Sequence, residues 1–336
     1  MGFAIALCAC SGSNAGENRA QGGSSGSGGH AGASLAASGA AGASTVLANG
    51  GDSGRSSSSF AGANSAGYAG TNAAGSGGAS GADAGSDTMQ PPAGWVLAWS
   101  DEFNGAIGDS LDKTKWAYDV GPNNANMEQE FYTARPQNSG YDGQGHFLIT
   151  ALHEDYMGYQ YTSAKFTSSG KYEPTYGRLE TRIKLPAGKG LWPAFWALGT
   201  NIGDVGWPAC GEMDIMETVG DQLTMNHGSL HGPGYSGSSP LTGTFTLPNG
   251  ATFDDDFHVF AAEWEENVVR FYVDDNLYET RTPADVPPGK KWVYDHDVFM
   301  ILNVAVGGTW PGDPDNSIFP RSMAIDYVRV YERPAQ

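Results

Sequence analysis

The sequence predicts an all-β domain built as a sandwich of two antiparallel sheets. Many short segments alternate apolar and polar residues with a period of two, which is typical of half-buried strands. Turn-forming residues separate these segments, and few stretches show the helical period of 3.6. Short strands joined by turns, with little helix to cover them, favour two sheets packed face to face.

The composition divides the chain into a low-complexity N-terminal segment and a globular domain. The chain has 336 residues and 49 glycines, and residues 1 to about 90 are almost entirely Gly, Ala and Ser with scattered Asn. Such a segment cannot bury a core, so we interpret residues 11–92, which end at Pro91-Pro92, as a disordered linker. The globular domain is predicted over residues 93–333, and about 245 residues are enough for one β-sandwich.

The charge of the domain restricts its partners. The formal net charge is −19, and the first 90 residues hold four acids against two bases, so the domain carries −17. This charge argues against nucleic acid and anionic membranes as partners. It suits solubility and a neutral substrate.

The N-terminus resembles the end of a bacterial lipoprotein signal. Leu7 and Ala9 match the positions that precede a lipidated cysteine, which would be Cys10. The apolar run is short and no Lys or Arg precedes it, so residues 1–10 are interpreted as a truncated signal. The alternative is an apolar N-terminus without function. We expect an extracellular or cell-surface location, as an outer-membrane lipoprotein tethered through Cys10, and no later segment approaches a transmembrane length.

The strands follow in order along the domain. Trp95–Gly105 is predicted as strand and turn, and residues 111–116 as a short helical turn. The mixed polar and aromatic run 126–136 suits a cleft edge as well as a strand end. Further strands are predicted over 146–151, 159–168, 177–185, 191–198, 257–264, 267–273, 298–306 and 324–331, with Asp274-Asp275-Asn276 closing a hairpin.

Cys210 is the one cysteine of the globular part, so no disulfide can form inside it. It is interpreted as a small buried core residue. A nucleophilic role would require a base partner.

The stretch Glu212-Met213-Asp214-Ile215-Met216-Glu217 dominates the functional interpretation because it holds three carboxylates in six residues. Alternation along a strand places Glu212 and Asp214 on one face but sends Glu217 to the other. One extra residue, a β-bulge around Ile215-Met216, would return Glu217 to the face of the other two. Like charges this close resist joint ionisation, so one group must hold a proton near neutral pH.

A carboxylate beside a carboxylic acid is the pair of groups that glycoside hydrolysis uses. Two other interpretations stay open on spacing alone. Acidic residues on a strand are usually a solvated face, and calcium could also collect three hard oxygen ligands.

The aromatic strand 191–198 places Trp192 and Trp196 on one face with Ala194 between them. They are either core residues or a flat platform on which pyranose rings stack. His227 and His231 follow the acidic strand, but their spacing does not match a zinc site.

Together these motifs resemble the catalytic domain of glycoside hydrolase family 16, and within it the bacterial laminarinases, over essentially the whole globular part. The likeness rests on Glu212–Glu217, which matches the bulged form of the family's E-x-D-x-x-E signature, and on the flanking blocks 176–178, 191–196, 207–209, 299–312 and 326–331. It implies a β-jelly-roll with a concave substrate cleft and a retaining endo-β-1,3-glucanase activity.

The resemblance also assigns roles. Glu212 would be the nucleophile, Glu217 the general acid and later the general base, and Asp214 would tune both charges. The implied substrate contacts are Trp192, Trp196, Trp310, Asn126, Glu128, Arg135, His231 and Asn303. No cofactor is expected for catalysis, but a structural calcium is implied at Glu102 and Asp326, with a carbonyl near Gly145.

Two alternatives remain for the function. A hydrolase of the same fold could act on another β-glycan, such as mixed-linkage glucan or a galactan. A non-catalytic glycan-binding protein would keep the aromatic residues and lose the glutamates, and this chain retains them. The run 126–130 is only close to the pattern typical of the family, so the residues of the far negative sugar subsites are left open.

We expect a monomer that acts on β-glucan polysaccharide.

Overall fold

A computed structural model describes residues 91–123 and 125–335 of the chain. The predicted signal over 1–10, Cys10 and the predicted linker up to residue 90 lie outside these residues. Among the residues described, no helix combines the length and the apolar character that crossing a bilayer requires.

Strands dominate the described residues. They are β1 Val96–Asp101, β2 Ala117–Tyr118, β3 Gly121–Pro122, β4 Glu130–Tyr132, β5 Ser139–Tyr141, β6 Phe147–Tyr156, β7 Tyr159–Ser163, β8 Lys165–Thr167, β9 Gly177–Lys184, β10 Leu191–Gly199, β11 Glu212–Glu217, β12 Met225–His231, β13 Leu241–Thr246, β14 His258–Glu265, β15 Val268–Val273, β16 Asn276–Arg281, β17 Val298–Val306 and β18 Arg321–Glu332. The helices are short: α1 Ile202–Val205 and 3₁₀ turns at Ala125–Met127, Pro248–Gly250, Pro283–Asp285 and Asn316–Ile318.

The strands form two sheets. One runs in the order β16-β15-β14-β9-β18-β6-β7-β4-β3, with β1 paired to β18 and β5 to β6. The other, called the cleft sheet below, runs β13-β12-β11-β10-β17-β8-β2. Their ladders are antiparallel, apart from the parallel pair β4–β7. The predicted two-sheet sandwich is therefore confirmed.

The core lies between the sheets and follows the alternation along each strand. On β10, Leu191, Phe195 and Ala197 belong to the main buried cluster, whereas Ala194 and Trp196 belong to a smaller cluster on the opposite face. That smaller cluster also contains Leu198, Cys210, Phe299 and Ile301. The cleft sheet is thus apolar on both faces near its centre, which explains the near-continuous apolar runs of β10 and β17. The buried Cys210 confirms its interpretation as a core residue.

One predicted strand differs from the structure, and one predicted turn agrees with it. The single strand predicted over 159–168 is two strands, β7 and β8, which belong to different sheets. The chain crosses between the sheets at the fully buried Ala164, and a period of two does not reveal such a crossing. The helical turn predicted over 111–116 is one hydrogen-bonded turn, in which the Trp116 N–H donates to the Asp112 carbonyl at 2.9 Å.

The predicted hairpin is confirmed between β15 and β16. Asp274 and Asp275 have φ angles of 48° and 62°. Two consecutive residues of positive φ are the signature of the tight turn that matches strand twist.

Candidate active site

The acidic strand β11 contains the predicted bulge. Glu212, Asp214 and Glu217 pair with alternate residues of β10, namely Leu198, Trp196 and Ala194. Because two residues separate Asp214 from Glu217 while one separates their partners, one residue around Ile215 is extra. All three carboxylates therefore face the same side of the cleft sheet, as predicted.

The chain enters β11 through Gly211, whose φ is 74°. A Cβ atom at this position would lie 2.9 Å from the Val293 carbonyl oxygen. Only glycine combines this backbone conformation with so close an approach, so it fixes where the acidic strand begins.

Two tryptophan N–H groups hold the outer carboxyl groups. The Trp207 Nε1–H donates to Glu212 Oε2 at 2.9 Å, and the Trp192 Nε1–H donates to Glu217 Oε1 at 3.0 Å. Glu212 is 2% exposed, whereas Glu217 is less buried and faces the cleft. Each glutamate is thus oriented by an indole that is itself fixed in the protein.

His231 stands beside the central acid. Its Nε2 lies 2.9 Å from Asp214 Oδ2 and 3.8 Å from Glu212 Oε1, and both His231 and Asp214 are almost fully buried. The three side chains form the one group of three or more His, Cys, Asp or Glu that has metal-binding proximity among the described residues. The same proximity places His231 to orient the Asp214 carboxylate.

Burial and mutual repulsion raise the pKa values of the two glutamates. Burial, followed by the charges of Asp214 and Glu217, raises the pKa of Glu212 well above its usual range. Burial and the charge of Asp214 do the same to the pKa of Glu217. The three carboxyl groups therefore retain a proton near neutral pH, and the pair can act as one acid and one base.

A cleft opens beside these acids on the cleft sheet. Its lining residues are Asn123, Glu128, Lys165, Trp192, Ala194, Trp196, Asp214, Glu217, Asn303 and Ala305. The structure thus brings six of the predicted contact and catalytic residues to one cavity. Trp196 also packs in the smaller core cluster. This one side chain is therefore both a core residue and part of the cleft lining.

Other predicted contact residues lie around this cleft. Trp310 packs edge-on against Trp192 with ring centroids 5.4 Å apart. The Asn126 amide donates to Glu128 Oε1 at 3.4 Å. Trp310 and Asn126 therefore each contact a residue that lines the cavity.

Arg135 lies elsewhere. Its guanidinium pairs with Glu154, donates to Asn138 Oδ1 at 2.8 Å, and stacks 4.2 Å from the centre of the Tyr156 ring. It is not among the residues that line the cleft. Local partners satisfy this side chain, which the resemblance assigned to the substrate.

The predicted metal ligands are also paired with arginines. Glu102 Oε2 lies 2.7 Å from Arg329 Nη2, and Asp326 Oδ2 lies 2.6 Å from Arg182 Nη1. Gly145 has a φ of 93° in the turn before β6. These contacts give both carboxylates a cationic partner within the protein.

Several functional candidates were missed by sequence reasoning. Trp207 was noted only as part of a flanking block, although its indole holds Glu212. Lys165 and Asn123 line the cleft, but isolated polar residues in a strand or a loop carry no signal of their own. Only the three-dimensional path of the chain assembles them.

Buried carboxyl groups that share protons, set beside indole rings in an open cleft, define the active site of a glycoside hydrolase. The comparisons agree and specify the family. The chain belongs to the glycosyl hydrolases family 16, whose family model matches residues 126–329. This confirms the resemblance noted from the sequence.

Particular relatives extend this result. A β-glucanase from Rhodothermus marinus is 40% identical over 259 residues, covering 74% of this chain and 88% of the relative. The solved laminarinase catalytic domain from Thermotoga maritima MSB8 is 45% identical, with a TM-score of 0.67, over 72% of this chain and 99% of that one. A keratan-sulfate endo-1,4-β-galactosidase from Sphingobacterium multivorum is 36% identical over 71% of this chain and 56% of the relative. The predicted jelly-roll fold is confirmed by the structural match.

Proposed function

We propose that this glycoside hydrolase is an endo-acting β-1,3-glucanase that works by double displacement with retention. The observation that supports the chemistry most is the bulge of β11, which aligns Glu212, Asp214 and Glu217 on one face of the cleft sheet. The observation that supports the substrate is the likeness to laminarinases at 40–45% identity over nearly their full length.

Glu212 and Glu217 are separated along the sheet by four strand steps, or about 13 Å of backbone. A glutamate side chain can lean several ångströms along the sheet towards Asp214, which is compatible with carboxyl groups about 5–5.5 Å apart, the spacing of retaining enzymes. An inverting enzyme needs a wider gap for water.

In the first step, the Glu212 carboxylate attacks the anomeric carbon. The bond from that carbon to the leaving oxygen breaks, and protonated Glu217 gives its proton to that oxygen. The Trp207 N–H favours the anionic form of Glu212, which is the form required for attack.

In the second step, the Glu217 carboxylate takes a proton from water. The water oxygen attacks the anomeric carbon, and Glu212 leaves as a carboxylate. Two displacements restore the β configuration, and Glu217 regains its proton.

A substrate comparison tests the linkage. Reducing-sugar release should be far greater on laminarin than on agarose, xylan or keratan sulfate, because the chain resembles laminarinases over nearly their full length. Lichenan distinguishes a strict β-1,3-glucanase from an enzyme that also cleaves mixed linkages. Equal or higher activity on a galactan would retain the family and reject the glucanase.

The implied structural calcium is a separate proposal. Asp326 lies where the register of β18 shifts, and a bulge frees backbone groups beside its carboxylate. Carboxylate and carbonyl oxygens suit calcium, but the ion would compete with Arg182 and Arg329 for Asp326 and Glu102. An ion held there would join the first and last strands, and it has no part in the two chemical steps.

Thermal unfolding tests this calcium. A ligand that binds only the folded state raises its stability, so chelation should lower the Tm by roughly 5–10 °C if calcium is present about a hundredfold above its Kd. Calcium should restore the Tm in the wild type but not in Glu102→Gln. An unchanged Tm after chelation of calcium-loaded protein would remove the site.

The location outside the cell is likewise a proposal, supported by the lipoprotein-like start and the Gly/Ser/Ala-rich segment before the domain. Lipidated Cys10 would anchor the enzyme stably, since such proteins carry several acyl chains. Mass spectrometry of the mature N-terminus tests it, and an unmodified Cys10 would reject the anchor. The oligomeric state is a separate prediction: we expect the enzyme to be a monomer.

A further inference from the structure

A set of buried polar side chains lies behind the cleft floor, and it begins at Asn303. This residue is 7% exposed and pairs with Ala194, whose other neighbour in the sheet is Glu217. Asn303 Oδ1 accepts from Trp196 Nε1–H at 2.8 Å, and its Nδ2–H donates to the Tyr132 hydroxyl at 3.0 Å. Since both ends of the amide are held, its remaining N–H and lone pair have fixed directions.

Tyr132 and Glu130 stand behind this amide on the short strand β4. They are 1% and 0% exposed, and alternation places them on one face of the strand. Glu130 Oε2 accepts from the Val306 N–H at 2.7 Å, and the Lys165 ammonium lies 5.0 Å from the centre of the Tyr132 ring. Neither Tyr132 nor Glu130 lines the cleft.

Glu130 lies two residues after Glu128, which does line the cleft and accepts from Asn123 Nδ2–H at 2.7 Å. Without a shared proton, Glu130 Oε1 has no hydrogen-bond donor. Burial and the nearby charge of Glu130 raise the pKa of Glu128 well above its usual range, and burial raises the pKa of Glu130 to about 7. A proton held between the two carboxyl groups would give the buried Glu130 Oε1 a hydrogen-bond donor and relieve their repulsion.

Other charged or titratable groups also surround this pair. They are Lys165 with its partner Asp119 at 2.7 Å, Tyr132, and the cleft carboxyls Asp214 and Glu217.

We infer that Tyr132 and Glu130 are positioning residues for glucan binding: Tyr132 orients the Asn303 amide, and Glu130 holds the Glu128 carboxyl in its cleft-facing position. This inference rests on the proposed glucanase function. Neither residue touches the sugar, so both act on substrate affinity through the residues that line the cleft.

A double-mutant cycle tests Tyr132. Tyr132→Phe keeps the ring and removes the acceptor of Asn303, so KM should rise about three- to tenfold, the size of one hydrogen bond, with little change in kcat. Tyr132→Phe added to Asn303→Ala should raise KM no further, because the amide is already gone. Tyr327→Phe is the matched control, since its buried hydroxyl donates to Glu180 on β9 and neither residue lines the cleft, and its KM should stay at the wild-type value.

A pH profile tests Glu130 and remains informative if Tyr132→Phe does not fold. In the wild type, the pair loses its shared proton as pH rises, two buried carboxylates then repel, and KM should increase on the alkaline side. Glu130→Gln can still accept from Val306 and donate to Glu128, so this alkaline rise in KM should disappear.

Additive effects in the cycle, or a Glu130→Gln profile identical to the wild type, would overturn the inference. All variants are measured on the β-glycan that the wild-type enzyme cleaves fastest. If the substrate assignment is wrong, the substrate preference of the wild-type enzyme reveals it. If the positioning role is wrong, the KM values of the variants reveal it.

Discussion

Replacing Glu212 by Ser should abolish hydrolysis, with kcat at least about 10⁴-fold lower, while leaving the domain folded and able to bind glucan. The serine cannot reach or stabilise the anomeric carbon as a carboxylate does. The expected Tm is equal to or above that of the wild type, because one of three crowded acids, 2% exposed in the fold, is removed. Kinetics, a thermal melt and a pull-down on insoluble glucan check the three parts.

The matched control is Glu266→Ser, the same substitution at an exposed turn between β14 and β15. It should retain wild-type activity. Full hydrolysis by Glu212→Ser would reject the site itself, and a large fall in Tm would show that Glu212 has a structural role instead.

Replacing Glu217 by Ala removes the acid and should lower kcat on glucan by about 10²–10⁴-fold, the range for general acid catalysis. The loss should be much smaller on an aryl glycoside with a good leaving group, because that group needs no proton for the first step. Azide should then accelerate turnover, since it attacks the glycosyl-enzyme without base assistance.

The pH profile of this variant follows from the sign of the shift. Burial and Asp214 raise the pKa of Glu217, so the wild type has the acid form below that pKa and loses activity as pH rises through it. Glu217→Ala should lack this alkaline limb, and Glu217→Gln should behave in the same way. An alkaline limb that survives in both variants would assign the acid to another residue.

The sequence was sufficient for the centre of the site because the chemistry is local there. Three acids within six residues can share one face of a strand only if the strand contains a bulge. The pairing register of β11 with β10 shows that bulge. The apolar runs of β10 and β17 likewise reflected a sheet that is buried on both faces near its centre.

The surroundings of the site could not be read in the same way. Trp207 lies five residues before Glu212 in a loop, and nothing in its spacing shows that its indole returns to that carboxylate. Lys165 reaches the cleft because the chain changes sheets at Ala164, a crossing that looks like continuous alternation in the sequence. Tyr132 meets Asn303 across 171 positions of the chain, a contact that requires the closed sandwich.

Three residues assigned by resemblance are held by partners within the protein. Arg135 is satisfied by Glu154 and Asn138, away from the cleft lining. Glu102 and Asp326 are each paired with an arginine. Family likeness does not reveal these partners, because they depend on the three-dimensional path of the chain.

The anomeric configuration of the first product tests the central claim most directly. Proton NMR of a digest, recorded before mutarotation, follows the new reducing end as it forms. Double displacement through Glu212 and Glu217 predicts the β anomer first, with the α anomer growing only as the solution equilibrates. An α anomer as the initial product would mean a single displacement by water, and would contradict the assignment of Glu212 as the nucleophile.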